Sequence, residues 1–192
     1  CGAQACSLVC PTNITVPNTT NQCGAVVTYP APTTSGSCGP ITCIPASGAF
    51  YPVGTTTVTC TEGGTFAPGG NGLAPNGGVG ASCSFTITVQ DTQAPTIGAC
   101  PANISTSGSG PTVVTYTPPT VSDNCPGASV SCVPPSGSSF VVGTTTGTCT
   151  ASDASRNSPD ATCTCTVTVT PPCTITCPAN QVAWTSTNSA VV

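Results

Sequence analysis

Cysteine dominates the residues of this chain that can do chemistry: sixteen in 192 positions, beside five carboxylates, one arginine and no histidine. Cys1, Cys6, Cys10, Cys23, Cys38, Cys43, Cys60, Cys83, Cys100, Cys125, Cys132, Cys149, Cys163, Cys165, Cys173 and Cys177 form an even set at recurring intervals. No two stand at CxxC spacing and no imidazole is at hand, so the set fits disulfides in an oxidising, extracellular compartment rather than zinc. A nucleophilic cysteine needs a cationic neighbour or a helix end to lower its pKa, and the sequence offers almost neither. Of the acids Glu62, Asp91, Asp123, Asp153 and Asp160, only Asp153 and Asp160 are close in sequence, and without histidine no general base is well placed. The chain is expected not to be an enzyme and to need no cofactor.

Two further sets carry possible chemistry. Asp91, Asp123, Asn124, Asp153 and Asn157 are oxygen donors near predicted loops, where a calcium ion would need several to converge. Asp and Asn in such places more commonly build turns, so no metal site is expected. Asn13-Ile14-Thr15, Asn18-Thr19-Thr20 and Asn103-Ile104-Ser105 are N-glycosylation sequons. Serine and threonine make up roughly 30% of the chain, a composition that also suits O-glycans. Arg156 is the only basic residue, which excludes a nucleic-acid footprint and a basic membrane-surface helix. No apolar run reaches membrane-spanning length, so membrane insertion is not expected.

These residues sit in a repeated framework. Cys10-Pro11-Thr12-Asn13, Cys100-Pro101-Ala102-Asn103 and Cys177-Pro178-Ala179-Asn180 are three copies of one anchor, 90 (100 − 10) and 77 (177 − 100) residues apart. Val26–Tyr29 recurs as Val113–Tyr116, and Phe50-Tyr51-Pro52-Val53-Gly54 as Phe140-Val141-Val142-Gly143. Phe85, Ile87 and Val89 alternate with threonines, as Val167 and Val169 do, which predicts half-buried strands. Thr55–Cys60 and Thr144–Cys149 read the same way, with turn builders between. No helical period appears. The predicted fold is all-β: tandem antiparallel β-sandwiches of immunoglobulin-like type, disulfide-rich, over residues 1–91 and 92–171. Residues 172–192 open a third repeat, completed elsewhere in the chain or by a neighbouring molecule. Trp184 lies in it and is expected to pack in that repeat's core. Between Cys60 and Cys83 the first repeat is nine residues longer than the second (23 against 14), a glycine-rich surplus expected to form a loop tip.

With Asp123-Asn124-Cys125, Pro134-Pro135-Ser136-Gly137, Val142-Gly143-Thr144 and the closing Cys-x-x-Thr-Val-Thr-Val added, the chain resembles the hyalin-repeat (HYR) family of extracellular modules. The second copy fits over nearly its whole length. The first departs at Ser37-Cys38 and Glu62-Gly63-Gly64. The resemblance implies a sandwich fold and a role in adhesion or extracellular assembly, with no catalytic residues. The cysteine pairing stays open. Three bridges per repeat are expected, plus one involving Cys1, Cys6, Cys165 or Cys173 that links adjacent repeats or chains. The expected function is a structural subunit of a glycosylated extracellular fibril, its partners being copies of itself or adjacent repeats end to end, with covalent glycans. A segment of a cell-surface adhesin is the alternative.

Overall fold

The computed structural model describes residues 4–63, 80–155 and 160–175. Cys1, Arg156, Asn157, Cys177, Trp184, nearly all of the glycine-rich surplus and most of the third repeat's opening lie outside them. The first repeat supplies β1 (Ser7–Val9), β2 (Ile14–Pro17), β3 (Gly24–Val27), β4 (Thr33–Ser35), β5 (Ile41–Ile44), β6 (Ala49–Pro52), β7 (Gly54–Glu62) and β8 (Ser82–Gln90). The second supplies β9 (Thr96–Ile97), β10 (Ile104–Ser107), β11 (Thr112–Val114), β12 (Val121–Ser122), β13 (Ser129–Val133), β14 (Ser138–Phe140), β15 (Gly143–Ser152) and β16 (Ala161–Thr170). Among the described residues there is no helix.

Both sets of strands take the same arrangement. A four-stranded sheet in the order β2-β8-β7-β5 faces the pair β3-β6, and β10-β16-β15-β13 faces β11-β14. Each fold is therefore a sandwich, with its longest hairpin, β7-β8 or β15-β16, at the centre of the larger sheet. Two pairings depart from the antiparallel expectation: β2 lies parallel to β8, and β10 to β16. The strand after each of the first two Cys-Pro anchors runs with the last strand of its own repeat, and the whole module serves as the long crossover that parallel strands require.

The threonine alternation follows from this layering. Phe85, Ile87 and Val89 of β8, and Val167 and Val169 of β16, turn inward and are buried. The threonines between them face outward, where Thr55 bonds Thr88 at 3.0 Å and Thr144 bonds Thr168 at 3.1 Å. Such cross-strand hydroxyl pairs suit a surface that has few ions to pair.

The Pro-x-Ser-Gly segments are turn devices. Gly48 and Gly137 hold φ of +82° and +87°, the left-handed region that favours glycine. Ser47 Oγ accepts from the Tyr29 amide at 2.8 Å, and Ser136 Oγ does the same for Tyr116. The two tyrosine hydroxyls donate to the carbonyls of Pro45 and Pro134, each of which follows a cis peptide bond.

One equivalence drawn from the sequence is corrected by the register. Phe50 faces outward at 52% exposure, and Tyr51 fills the core at 1%, where the second repeat places Phe140. The true partner of Phe140 is Tyr51, because the second copy has one residue fewer between its phenylalanine and the following glycine. Phe50 instead crosses diagonally over Gly24, where a Cβ would come within 2.3 Å of the ring. Burial, reinforced by the neighbouring Tyr29, pushes the Tyr51 hydroxyl up to about 12 from an ordinary 10.0. The folded state thus favours the neutral phenol, and its contribution is complete below the unfolded value. It is lost as pH rises from about 10 through about 12. Urea titrations across that window are expected to show falling stability, with a shallower fall in Tyr51→Phe.

Candidate functional site: the junction of the two repeats

The cysteines of each repeat pair largely along sheet rows. Cys43 stands directly opposite Cys60, and Cys132 opposite Cys149, and each pair is bridged. Cys10 of the first anchor bonds Cys83 and Cys100 of the second bonds Cys163, tying each anchor to the last strand of its module. In the first repeat these bridges lie against the core and enlarge an apolar centre that small domains can otherwise barely supply.

Cys38 and Cys125 occupy equivalent places, three residues beyond Ser35 of β4 and Ser122 of β12 (38 − 35 and 125 − 122). Cys38 bonds Cys6, just ahead of β1, which pairs with β4. The corresponding position ahead of β9 is Pro95, so Cys125 has no such partner in its own repeat. It reaches back instead to Cys23 of the first repeat. The bridge between repeats is therefore Cys23–Cys125, not one made by Cys6 or Cys165. Cys165 is a buried free thiol in the core slot that Phe85 fills in the first repeat, and Cys173 is a free, exposed thiol.

A polar network surrounds this bridge. The turn between β2 and β3 is closed by Thr19 N to Gly24 O at 2.8 Å and Gln22 N to Thr19 O at 2.9 Å, with Asn21 at φ +61°. Its side chains grip the linker that follows β8. Asn18 Oδ1 accepts from the amide and hydroxyl of Thr92 at 2.9 and 3.1 Å. Asn21 N donates to Gln93 Oε1 at 2.8 Å, and Gln93 Nε2 returns a bond to Asn21 Oδ1 at 3.3 Å. From the second repeat, Asn124 Nδ2 donates to Gln22 O at 3.1 Å and Asp91 Oδ1 at 3.4 Å, and Ser155 Oγ donates to Asp91 Oδ2 at 3.3 Å.

Asp91 and Asp123 behave largely as turn builders, accepting from the amides of Gln93 and Cys125 two residues on. They also approach each other: oxygens of Asp91 and Asp123 and the sulfur of Cys125 all lie within 4.8 Å of one another. The sulfur is committed to a disulfide, which leaves two carboxylates and Asn124 as cation donors beside a cleft of about 280 Å³. That is fewer than the six to eight oxygens calcium takes. Asp153 is buried in the second repeat.

The three sequon asparagines are not alike. Asn13 Oδ1 accepts from Thr86 N and Asn103 Oδ1 from Thr166 N, both at 2.9 Å, each extending the parallel ladder by one rung. Asn18 uses both ends of its amide, with Nδ2 donating to the carbonyls of Thr19 and Gln22 at 3.2 and 3.0 Å. Asn18, Asn21, Gln22 and Gln93 were not visible as junction residues in the sequence. The available signal was Cys23, a cysteine of the first repeat without a counterpart in the second.

Residues 90–169 match the profile of the HYR domain family. This chain carries an HYR domain. Hyalin of Strongylocentrotus purpuratus is 36% identical over 186 residues, which cover 90% of this chain and 14% of hyalin. Among solved structures, Drosophila N-cadherin EC1-4 is similar at 13% identity, covering 88% of this chain and 50% of that one with a TM-score of 0.39. Protocadherin Gamma C5 EC1-3 is similar at 13% identity over 86% of this chain and 68% of that one, also with a TM-score of 0.39. HYR domains are non-catalytic modules, and the match together with six disulfides among the described residues marks an extracellular domain.

Proposed function

We propose that this chain is a structural segment of a glycosylated extracellular fibril in which HYR-type modules follow one another end to end. The observation that carries this reading is the Cys23–Cys125 bridge with its hydrogen-bonded collar, which fixes the first sandwich to the second instead of leaving them on a loose tether. A spacer whose joints are covalently pinned transmits length and direction, which is what a filament shaft requires.

Cys173 fits a further module of the same kind after the second repeat. It precedes its anchor by four residues (177 − 173), as Cys6 precedes Cys10 (10 − 6), and Cys6 is bridged whereas the Cys173 thiol is exposed and free. On the Cys6–Cys38 pattern its partner would lie 28 residues past the anchor (38 − 10), later in the third repeat and beyond position 192. Electron microscopy of the native material is expected to show regular filaments. Non-reducing peptide mapping is expected to find Cys173 joined to a peptide outside residues 1–192. Isolated particles with an alkylatable Cys173 would overturn the proposal.

A binding segment of a cell-surface adhesin is the second reading. It is favoured by the exposed cross-strand pair Val26 and Phe50, at 62% and 52%, on the outer face of β3-β6. Single molecules that bind a defined ligand through this pair would select it.

A further inference from the structure

The open sheet edges point to where sugar belongs. β2 and β10 each form one edge of the two large sheets, opposite β5 and β13, and neither carries a charged residue. Soluble proteins normally guard such an edge with charge, a bulge or a cover. Immediately before each stands a sequon asparagine, Asn13 or Asn103, exposed to solvent, with the sequon residues Thr15 and Ser105 also exposed. In both, the carbonyl oxygen is engaged with β8 or β16, and among the described residues Nδ2 makes no hydrogen bond.

We propose that Asn13 and Asn103 carry N-linked glycans that cover the edges of β2 and β10, and that Asn18 stays bare. The inference rests on the extracellular reading of the chain. In the transfer, Nδ2 forms a bond to the anomeric carbon of an oligosaccharide carried on a polyprenyl diphosphate. The bond from that carbon to the diphosphate oxygen breaks, and the diphosphate leaves with the electron pair. One amide proton goes to a base of the transferase. Oδ1 takes no part, so the rung to Thr86 or Thr166 survives modification. Asn18 is the opposite case. Its Nδ2 is directed at two backbone carbonyls that close the β2–β3 turn, and its Oδ1 holds Thr92 at the junction. A sugar there would displace one of those bonds and intrude on the packed linker. The third anchor, Asn180-Gln181-Val182, keeps the asparagine without a hydroxyl two residues on, which agrees with the ladder cap and the glycan being separable duties of one side chain.

Glycopeptide mass spectrometry of the native protein tests this directly. Glycan mass on the Asn13 and Asn103 peptides with an unmodified Asn18 is the expected result. A glycan on Asn18, or bare Asn13 and Asn103, overturns it. Filaments whose Asn13 and Asn103 are bare would remove this inference and leave the fibril reading standing. The covering role has its own readout in Thr15→Ala with Ser105→Ala, made in a glycosylating host, which removes the sequons and keeps both asparagine caps. An unchanged melting temperature with a shift to larger species in sedimentation supports it, and an unchanged sedimentation profile overturns it.

Discussion

Replacing Cys23 and Cys125 together by serine is expected to leave both sandwiches folded and to free them from one another. The two sulfurs are 102 residues apart in sequence, yet each sits in a turn of a separately cored unit. A cross-link closing a loop of about 100 residues restricts an unfolded chain by roughly 4–5 kcal/mol in the chain-entropy account. Here much of that restriction falls on the placement of one folded unit against another. What remains at the joint after substitution is the collar through Asn18, Asn21, Gln93 and Asn124. Those bonds are mainly exposed, and each is worth about 1 kcal/mol or less net of water. Small-angle scattering is therefore expected to broaden from one shape to a distribution, with circular dichroism and each module's melting little changed. Cys6→Ser with Cys38→Ser is the control, since that bridge closes within the first repeat and should leave the scattering as it was. Unchanged scattering in the Cys23/Cys125 variant would mean that the collar alone sets the geometry.

The contrast between these bridges shows what the sequence could convey. Period-two alternation in 84–89 and 166–170 fixed the face of each central strand, because only one face of such a strand can meet the core. Repeat comparison placed the strands in both copies and pointed to the family. Pairing of the cysteines was not legible, since it depends on register. Cys43 meets Cys60, and Cys132 meets Cys149, only because β5-β7 and β13-β15 align those residues opposite each other. The parallel contact of β2 with β8 was hidden for the same reason: nothing local records which edge a four-residue strand will join. The junction was half visible. Cys23 lacked a counterpart, and Asp123-Asn124-Cys125 differed from Ser37-Cys38, but the asparagines and glutamine of the collar look like ordinary turn residues until the two loops meet. The Phe50 equivalence failed because the two copies differ by one residue there, and a shift of one in a strand exchanges its inner and outer faces.

That last point leads to the strongest expected loss of stability. Tyr51→Ala should destabilise the first repeat by about 3–5 kcal/mol, the usual cost of emptying a large aromatic site in a core. Its ring is almost wholly buried in the cluster that holds Val58, Phe85 and Ile87, and its hydroxyl lies 3.2 Å from the carbonyls of Pro45 and Ala46, which keep the Tyr29 hydroxyl and the Ala49 amide as donors when it is removed, so the cost is that of the emptied core site. Against a net stability of about 5–15 kcal/mol for a small domain, this is a large fraction. Phe50→Ala, one residue away, should cost only about 1 kcal/mol, because the ring is half exposed and lies over the backbone of Gly24. Phe140→Ala should resemble Tyr51→Ala in the second repeat, since Phe140 fills the same core slot in the cluster with Val114 and Val167. Urea unfolding of the three variants with disulfides intact measures all of this. If Phe50→Ala proved the more damaging of the first pair, β6 would have to sit one residue out of its register with β3. Phe50 would then face inward opposite Ala25 or Val27, Val26 would stay outside without it, and the outer apolar pair that favours the adhesin reading would not exist.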